Sequence, residues 1–385
     1  MNWDKNLIGA ILLLAYSLSL NAQMHLVGDI FSCYATNIIY GEKGDNGINR
    51  PLLIEDQHGS IELLSYPDKD VVLNFPNCSN IISSKTGEYI ISAEPSVPDQ
   101  CYSTPKLSIF HFGNFVKTLD LPVKRDNDDK LEFNFPIFVD ETNPGIITFK
   151  DNKTLCRYNL EGEQIFAYAL KRGTRTKLRK TYCADNGNIY LVFNNNIETI
   201  NGSGNLLWIK NGRYSTRLVY ASARDEIFIG DMTNQEGLFV RNDGDVSLRL
   251  SSLMPTTNLD INILPDEIIC KGSLVDIESD VTTMQVTQLY EFRYRINPTY
   301  TSSSNGEYLG YFGSRVVNDG NQNDKYIVKV VDRYDEFVGQ VYFDYPARMS
   351  GLRVLSFQVA NDGSEVHLAI LNTSYNQVFV VDFSL

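Results

Sequence analysis

A short phrase that recurs along this 385-residue chain constrains its fold more than any other feature. An apolar run leads into Asn or Asp with Gly, and a second apolar run follows. Four copies of this phrase span residues 52–64, 155–166, 197–208 and 238–246. Recurrence of one strand–turn–strand unit is typical of repeat proteins, in which each added unit extends a continuous core.

A second marker gives the length of the repeated unit. A turn with Gly or an acidic residue leads directly into an apolar run, and its copies open at Gly87, Gly145, Gly187, Asp225, Asp266, Gly306 and Gly363. The steps between copies are 58, 42, 38, 41, 40 and 57 residues, so the unit is about 40 residues long. A unit of this length with about four strands predicts an all-β fold, a single β-propeller of four-stranded blades. The two long steps imply loop insertions, one at 95–105 and one within 314–355.

The repeat leaves the number of blades at seven or eight. The seven markers predict seven blades, but 52–64 is an additional hairpin, interpreted like the other copies as an outer hairpin, ahead of the first marker. If residues 33–40 supply its inner strands, the number is eight; if the hairpin completes the last blade, it is seven. The last blade has strand-like runs at 366–371 and 378–383 but no outer strand. Because an open ring exposes unpaired edges, we expect residues 25–31 to add that strand and close the ring.

One unit also resembles the blades of known propeller families. Asn188-Ile189-Tyr190-Leu191, then 197–200 and Gly204-Asn205-Leu206, resembles the blade pattern of NHL-like and quinoprotein-like (PQQ-like) propellers. The resemblance covers nearly all of residues 24–385. Quinoprotein propellers repeat a Trp docking motif in most blades, whereas here only Trp208 lies at a matching position. We therefore expect no quinone or other cofactor, and we expect Trp208 to pack between blades.

The first 22 residues predict a secretory signal peptide. Lys5 precedes an uncharged apolar run from Leu7 to Leu20, and Ala22 is a plausible residue before the cleavage point. The run is shorter than the roughly 20 residues that a membrane-spanning helix needs. We therefore expect a mature domain of residues 23–385 that is periplasmic, cell-surface or secreted and has no membrane span. An uncleaved anchor is the alternative.

The six cysteines predict neither zinc nor redox chemistry, because no two form a Cys-x-x-Cys pair. Export permits disulfides. Cys78 and Cys101 are the most suitable pair, since a turn at 85–87 brings the chain back to the same end of a blade. Cys156 and Cys270 lie inside strand-like runs and are expected to be small buried residues.

Charge is distributed unevenly along a chain whose formal net charge is −13. Such acidity argues against a sequence-independent nucleic-acid surface, which needs Lys and Arg. One stretch, 171–180, is strongly basic and falls in a predicted connection between blades. Its candidate binding residues are Arg172, Arg175, Lys177, Arg179 and Lys180. The stretch is either a solvated loop or a docking surface for an anionic glycan, a phosphate or an acidic partner.

Motifs for catalysis or metal binding are weak, and we predict no catalytic residue and no metal ligand. There is no Gly-x-Ser-x-Gly elbow. The four histidines are His25, His58, His111 and His367. We expect His58 to be solvated in a hairpin turn, and His111 and His367 to be surface or hydrogen-bonded strand residues. Acidic stretches at 126–129 and 319–324 lack the spacing of a calcium-binding loop, and we interpret them as solvated loops.

These observations favour a non-enzymatic exported scaffold that binds a protein partner or a glycan through loops on one face. The alternative is an exported lyase or hydrolase that acts on polysaccharide, with its site at the mouth of the central channel. A cluster of His, Arg, Tyr and carboxylate side chains at one mouth would favour the enzyme. An assembly factor for outer-membrane proteins is a third possibility, based on the fold alone.

Overall fold

The structure of this chain is a computed structural model. It describes residues 25–26, 31–33, 35–43, 45–57, 60–65, 70–76, 80–84, 88–95, 105–119, 137–138, 144–151, 153–171, 178–251, 261–270, 273–285, 299–315, 325–334, 336–344, 352–373 and 377–384. Within these ranges the regular elements are β-strands, and they form eight antiparallel sheets.

The strands fall into consecutive groups along the chain. Two short strands come first, β1 (His25–Leu26) and β2 (Phe31–Cys33). Sheet 1 contains β3 (Ala35–Lys43), β4 (Asn49–Gln57), β5 (Ser60–Ser65) and β6 (Val71–Pro76). Sheet 2 contains β7 (Asn80–Ser83), β8 (Tyr89–Pro95), β9 (Pro105–His111) and β10 (Asn114–Leu119). Sheet 3 contains β11 (Ile137–Phe138), β12 (Gly145–Asp151), β13 (Thr154–Asn159) and β14 (Gln164–Ala169). Sheet 4 contains β15 (Leu178–Cys183), β16 (Ile189–Phe193), β17 (Asn196–Ile200) and β18 (Leu206–Asn211).

The second half of the chain continues this arrangement. Sheet 5 contains β19 (Tyr214–Ala221), β20 (Glu226–Asp231), β21 (Glu236–Val240) and β22 (Val246–Leu250). Sheet 6 contains β23 (Ile261–Ile263), β24 (Glu267–Cys270), β25 (Ser273–Asp276) and β26 (Val281–Gln285). Sheet 7 contains β27 (Thr299–Ser302), β28 (Tyr308–Arg315), β29 (Lys325–Asp332) and β30 (Phe337–Asp344). Sheet 8 contains β31 (Leu352–Val359), β32 (Glu365–Asn372) and β33 (Gln377–Ser384).

Sheet 8 gains its fourth position from the beginning of the chain. Both β1 and β2 run antiparallel to β33, with Leu26 opposite Phe383 and Ser32 opposite Phe379. Residues 25–31 were expected at this position, and they contribute β1 and the first residue of β2. All eight sheets are therefore four strands wide, which confirms the predicted all-β fold of four-stranded antiparallel sheets.

Neighbouring sheets pack face to face. A hydrophobic cluster joins each consecutive pair from sheet 1 to sheet 8. Central strands such as β16 are buried along their whole length, because each face is covered by another sheet. The first strands of several neighbouring sheets contact one another, as β15 does with β19, so the first strands lie on the inner side and the fourth strands on the outer side. Trp208 and Cys156 are buried in two of these clusters, as expected.

The repeated Gly is required by packing between sheets. Gly204 has φ +83°, in the left-handed region that favours glycine, and a Cβ there would lie 2.5 Å from a ring carbon of Phe166 in sheet 3. Gly244 repeats this relation in sheet 5, with φ +90° and a Cβ position 2.7 Å from Trp208. The turn of one sheet thus covers an aromatic residue of the preceding sheet.

The markers agree with the structure, with one correction. Five of the seven lie in the turn before the second strand of sheets 4–8, and Gly145 is the first residue of the second strand of sheet 3. Gly87 lies outside the described residues, two positions before the second strand of sheet 2. The copy at 52–64, however, forms β4 and β5, the second and third strands of sheet 1, and the interpretation of it as an outer hairpin was wrong. The outer strand β6 begins only at Val71. The corresponding marker is Gly47, which was missed because polar Asn49 and Arg50, not an apolar run, follow it.

The outer strands share a feature that the sequence pattern does not indicate. In each of sheets 1–7 one extra residue interrupts the pairing of the third and fourth strands near the start of the fourth. The extra residues are Val72, Val116, Ile165, Leu207, Ser247, Thr283 and Val338. A bulge of this kind bends an edge strand and hinders pairing with another chain.

Candidate functional site

The order of the strands gives the molecule two different ends. Turns between first and second strands and between third and fourth strands lie at one end, here called the hairpin end. Turns between second and third strands and the connections from one sheet to the next lie at the other, here called the connection end. The two ends differ in charge.

The connection end of sheets 3–5 is basic. Eight exposed Lys and Arg side chains of the described residues lie there, namely Lys150, Lys153, Lys171, Arg179, Lys180, Arg213, Arg217 and Arg249. Three carboxylates at the same end, among those whose side chains the structure describes, are withdrawn from solvent or paired. Glu198 and Asp231 are buried, and Glu236 accepts a hydrogen bond from Arg249. The exposed charge of this surface is therefore mainly positive.

The inner strands carry the centre of this basic surface. Arg179 and Lys180 lie on β15, and Arg217 lies on β19, the neighbouring first strand. The Nη1 of Arg179 donates a hydrogen bond to the carbonyl oxygen of Tyr214 at 3.3 Å, so Arg179 bridges the two strands. The positive charge thus continues across sheets 4 and 5.

A buried carboxylate holds the start of the basic connection. Glu198, on β17, has no exposed surface. One of its oxygens, Oε2, accepts hydrogen bonds from the hydroxyl of Tyr168 at 3.0 Å and from the backbone N–H of Lys171 at 3.3 Å. Burial, and then the neighbouring carboxylate, raise the pKa of Tyr168, so the phenol remains a donor at neutral pH. This arrangement positions Lys171 against the interface of sheets 3 and 4.

The structure describes only part of the predicted site. Arg179 and Lys180 lie exposed on the connection end, and Lys171 lies close to them in sequence and at the same end. Arg172, Arg175 and Lys177 lie outside the described residues, as do Cys78 and Cys101. Sequence reasoning missed Lys150, Lys153, Arg213 and Arg217. A signal was available for Arg213, which occupies the connection after sheet 4, as residues 171–177 occupy the one after sheet 3.

The hairpin end is acidic. Exposed carboxylates occur there on sheet 1 and on sheets 3–8, namely Asp45, Asp70, Glu161, Glu163, Asp185, Asp225, Asp243, Asp245, Asp266, Glu278, Glu336, Asp362 and Glu365. Several arginines at this end are engaged by carboxylates. Arg224 and Arg241 contact Glu226, and Arg333 contacts Glu267 and Glu307. Opposite charges are therefore concentrated at opposite ends of sheets 3–5.

A polar network links sheets 4 and 5 at the hairpin end. Asp225 accepts hydrogen bonds from the hydroxyl of Tyr220 at 2.5 Å and from the amides of Asn186 and Asn242 at 3.1 and 2.9 Å. The bond from Tyr220 and those from the two amides lower the pKa of Asp225. Burial and the bond to Asp225 raise the pKa of Tyr220. A tyrosine with a raised pKa is a poor base at neutral pH, so this network suits structure better than proton transfer.

Two histidines are also held by carboxylates in contacts that suit a structural role. His111 contacts Glu88 at 2.7 Å, and the buried His367 contacts Asp382 at 2.8 Å. Both are hydrogen-bonded strand residues, as predicted, while the side chain of His25 and the whole of His58 lie outside the described part.

In the described part of the chain, no group of three or more His, Cys, Asp or Glu side chains is arranged to hold a metal ion. Nor does it contain a helix with the length and hydropathy to cross a membrane.

Comparisons with known proteins bear on the fold of this chain. No known protein family and no curated protein match the sequence. Among solved structures, a eukaryotic initiation factor is similar over 88% of this chain and 81% of that one, with 12% identity and a TM-score of 0.52. Hsv2p of Kluyveromyces lactis matches 80% of this chain and 97% of its own, with 11% identity and a TM-score of 0.43. A member of the DUF4221 family from Bacteroides vulgatus matches 94% and 98%, with 10% identity and a TM-score of 0.37.

Identities this low concern the fold alone, and only the first similarity is close enough to carry weight. The eight four-stranded sheets, which follow one another along the chain, support a β-propeller fold, and this similarity extends over most of both chains.

Proposed function

We propose that this chain is an exported β-propeller scaffold that binds an anionic partner, a glycan or an acidic protein surface, at its connection end. The observation that carries the proposal is the exposed basic surface of sheets 3–5 in a chain of net charge −13. A concentrated positive surface attracts anionic groups and orients them before contact. Export rests on the apolar run from Leu7 to Leu20, and the kinship with NHL-like or PQQ-like blades rests on the pattern that begins at Asn188.

We further propose that the eight sheets are eight blades of a closed ring. A Cβ at Gly363 of sheet 8 would lie 2.6 Å from Tyr308 of sheet 7, and a Cβ at Gly47 of sheet 1 would lie 2.6 Å from Asn361 of sheet 8. The backbone N–H of Asn361 also donates to the carbonyl oxygen of Asn46 at 2.8 Å. Sheet 1 therefore meets sheet 8 as sheet 8 meets sheet 7. In this ring β1 and β2 serve as the outer strand that closes the last blade.

Binding is favoured over catalysis because the polar groups that could transfer a proton are engaged in hydrogen bonds. Asp225 is engaged by three donors, and Tyr220 has a raised pKa, so neither is prepared to accept a proton at neutral pH. Surface Lys and Arg at the connection end suit attraction of anions without chemistry. The polysaccharide-acting enzyme remains the alternative, and cleavage of an anionic polysaccharide by the purified protein would support it.

Reversal of charge at the connection end tests the proposal. We expect Lys180→Glu/Arg217→Glu to elute from an immobilised dextran sulfate column at a salt concentration lower by about 0.1 M than wild type, because surface attraction is screened by salt. The matched control is Lys117→Glu/Arg241→Glu, which changes the net charge equally but away from the connection end. Equal loss of retention in both variants would show that only net charge matters and would overturn the proposal. Thermal unfolding of each variant confirms that the fold is retained.

A further inference from the structure

Exposed apolar side chains are concentrated at one place on the surface. Of the eleven large hydrophobic residues that are exposed in the described part of the chain, five lie on the outer strands and hairpin of sheets 1 and 2. These five, here called the sheet 1–2 patch, are Val71, Val72, Phe112, Phe115 and Val116, with exposed fractions of 40–61%. The other six are spread over sheets 3–7, one or two to a sheet. Clustered exposure of this kind marks an interaction surface.

The patch is continuous with the core beneath it. A Cβ at Gly113, the tip of the sheet 2 hairpin, would lie 3.7 Å from a methyl of Val72 in sheet 1. The ring of Phe115 lies 5.7 Å from that of Phe110, which in turn meets Phe75 of sheet 1 at 5.3 Å, edge to face. The outer strands of the two sheets therefore present one apolar surface that packs on the core beneath it.

Phe112 is only partly explained by the fold, in which its ring lies 4.5 Å from that of His111. It and Gly113 form a two-residue turn between β9 and β10 in which both residues have positive φ, +44° and +75°. Such turns favour Asn-Gly or Gly-Gly, and a bulky side chain is strained there. The Phe112 ring is also mostly exposed, so core burial does not offset the strain. Contact with another molecule would account for an aromatic residue at this tip.

The charges around the patch indicate the chemistry of that molecule. Asp70, Glu88, Glu161 and Glu163 lie on the turns beside it, whereas Lys117 is the exposed lysine on β10. An apolar partner flanked by Lys and Arg matches these surroundings. An anionic bilayer would be repelled. A second copy placed symmetrically would bring like charges together.

The shape of the edge decides how such a partner binds. Bulges at Val72 and Val116 interrupt β6 and β10, and a bulged edge is a poor template for an added strand. The partner must therefore satisfy its own backbone hydrogen bonds, as a helix does. We propose that the sheet 1–2 patch docks a basic amphipathic helix of another protein. This surface is separate from the basic connection end and goes beyond the function proposed above.

A helical peptide with a Leu/Phe stripe and Lys elsewhere is the probe, and fluorescence anisotropy measures its binding. We expect Phe112→Asn/Phe115→Thr to weaken binding at least tenfold. Because Asn-Gly suits the turn, Phe112→Asn alone should keep or raise the Tm, so lost binding would not reflect unfolding. The matched control, Ile165→Thr/Leu206→Thr, removes two exposed apolar residues from outer strands of sheets 3 and 4 and should bind as wild type does.

Several results would overturn the proposal. One is failure of the Lys peptide to bind wild type, and another is equal binding of a scrambled peptide or of a peptide with Glu in place of Lys. Patch-dependent binding to vesicles of phosphatidylcholine and phosphatidylglycerol would favour a membrane instead. A dimer in sedimentation that Phe115→Thr abolishes would favour a second copy. The connection-end variant Lys180→Glu/Arg217→Glu should bind the peptide normally, so failure of the proposed function is distinguishable from failure of this inference.

Discussion

At the scale of single residues, the positions that matter most are those at which one sheet touches the next. The sequence indicated some of them, such as Trp208 and the glycines of the repeated turns. It did not indicate the burial of Glu198. A Glu between Ile197 and Thr199 reads as the solvent-facing position of an alternating strand. In this fold both faces of a third strand such as β17 are covered by neighbouring sheets, so the alternation of polar and apolar residues no longer reports exposure.

Two glycines distinguish the cost of close packing from the cost of a strained backbone conformation. Gly204 and Gly187 both have positive φ, but a Cβ at Gly204 would collide with Phe166, whereas a Cβ at Gly187 has no neighbour within 4 Å. We expect Gly187→Ala to lower the free energy of unfolding by about 1–2 kcal/mol, through strain alone. Gly204→Ala should lower it by about 2–4 kcal/mol, because overpacking is added. Urea unfolding measures both, and equal losses would contradict the role of Gly204 in joining sheets 3 and 4.

At the scale of elements, the markers correctly predicted the second strand of seven of the eight sheets. The second strand of sheet 1, after Gly47, was missed because it begins with polar residues. The bulges of the outer strands could not be predicted, since an extra residue in one strand changes no local pattern in the sequence. The basic connection was recognised as a run of charge, but the residues that extend it, such as Lys153 and Arg217, are distant in sequence and meet it only in the folded chain.

The pairing of the first and last strands is the element on which the closed ring depends. Deletion of residues 1–33 removes β1 and β2 and leaves β33 as an unpaired edge. We expect this deletion to lower the Tm by more than about 5 °C and to promote aggregation, because an exposed edge strand recruits other chains. Deletion of residues 1–22 is the control and should leave the Tm unchanged. A local effect, with the Tm of the remaining domain intact, would argue against closure by these strands.

At the scale of the whole molecule, the separation of charge is the property that composition conceals. A net charge of −13 sums over an acidic hairpin end and a connection end that is basic at sheets 3–5, and so it gives no sign that a basic surface exists. The repeat architecture produces this separation, because it places every connection between sheets at one end and every first turn at the other. A repeat fold can thus hold a binding surface of one sign on a chain of the other.

Chemical footprinting of lysines tests the proposed binding surface most directly. The protein is acetylated with and without dextran sulfate, and the rate at each lysine is read by mass spectrometry. We expect at least threefold protection of Lys150, Lys153, Lys171 and Lys180 at the connection end, and no protection of Lys117 on the outer strand of sheet 2. Protection that is uniform over the surface, or that is confined to lysines away from the connection end, would contradict the account.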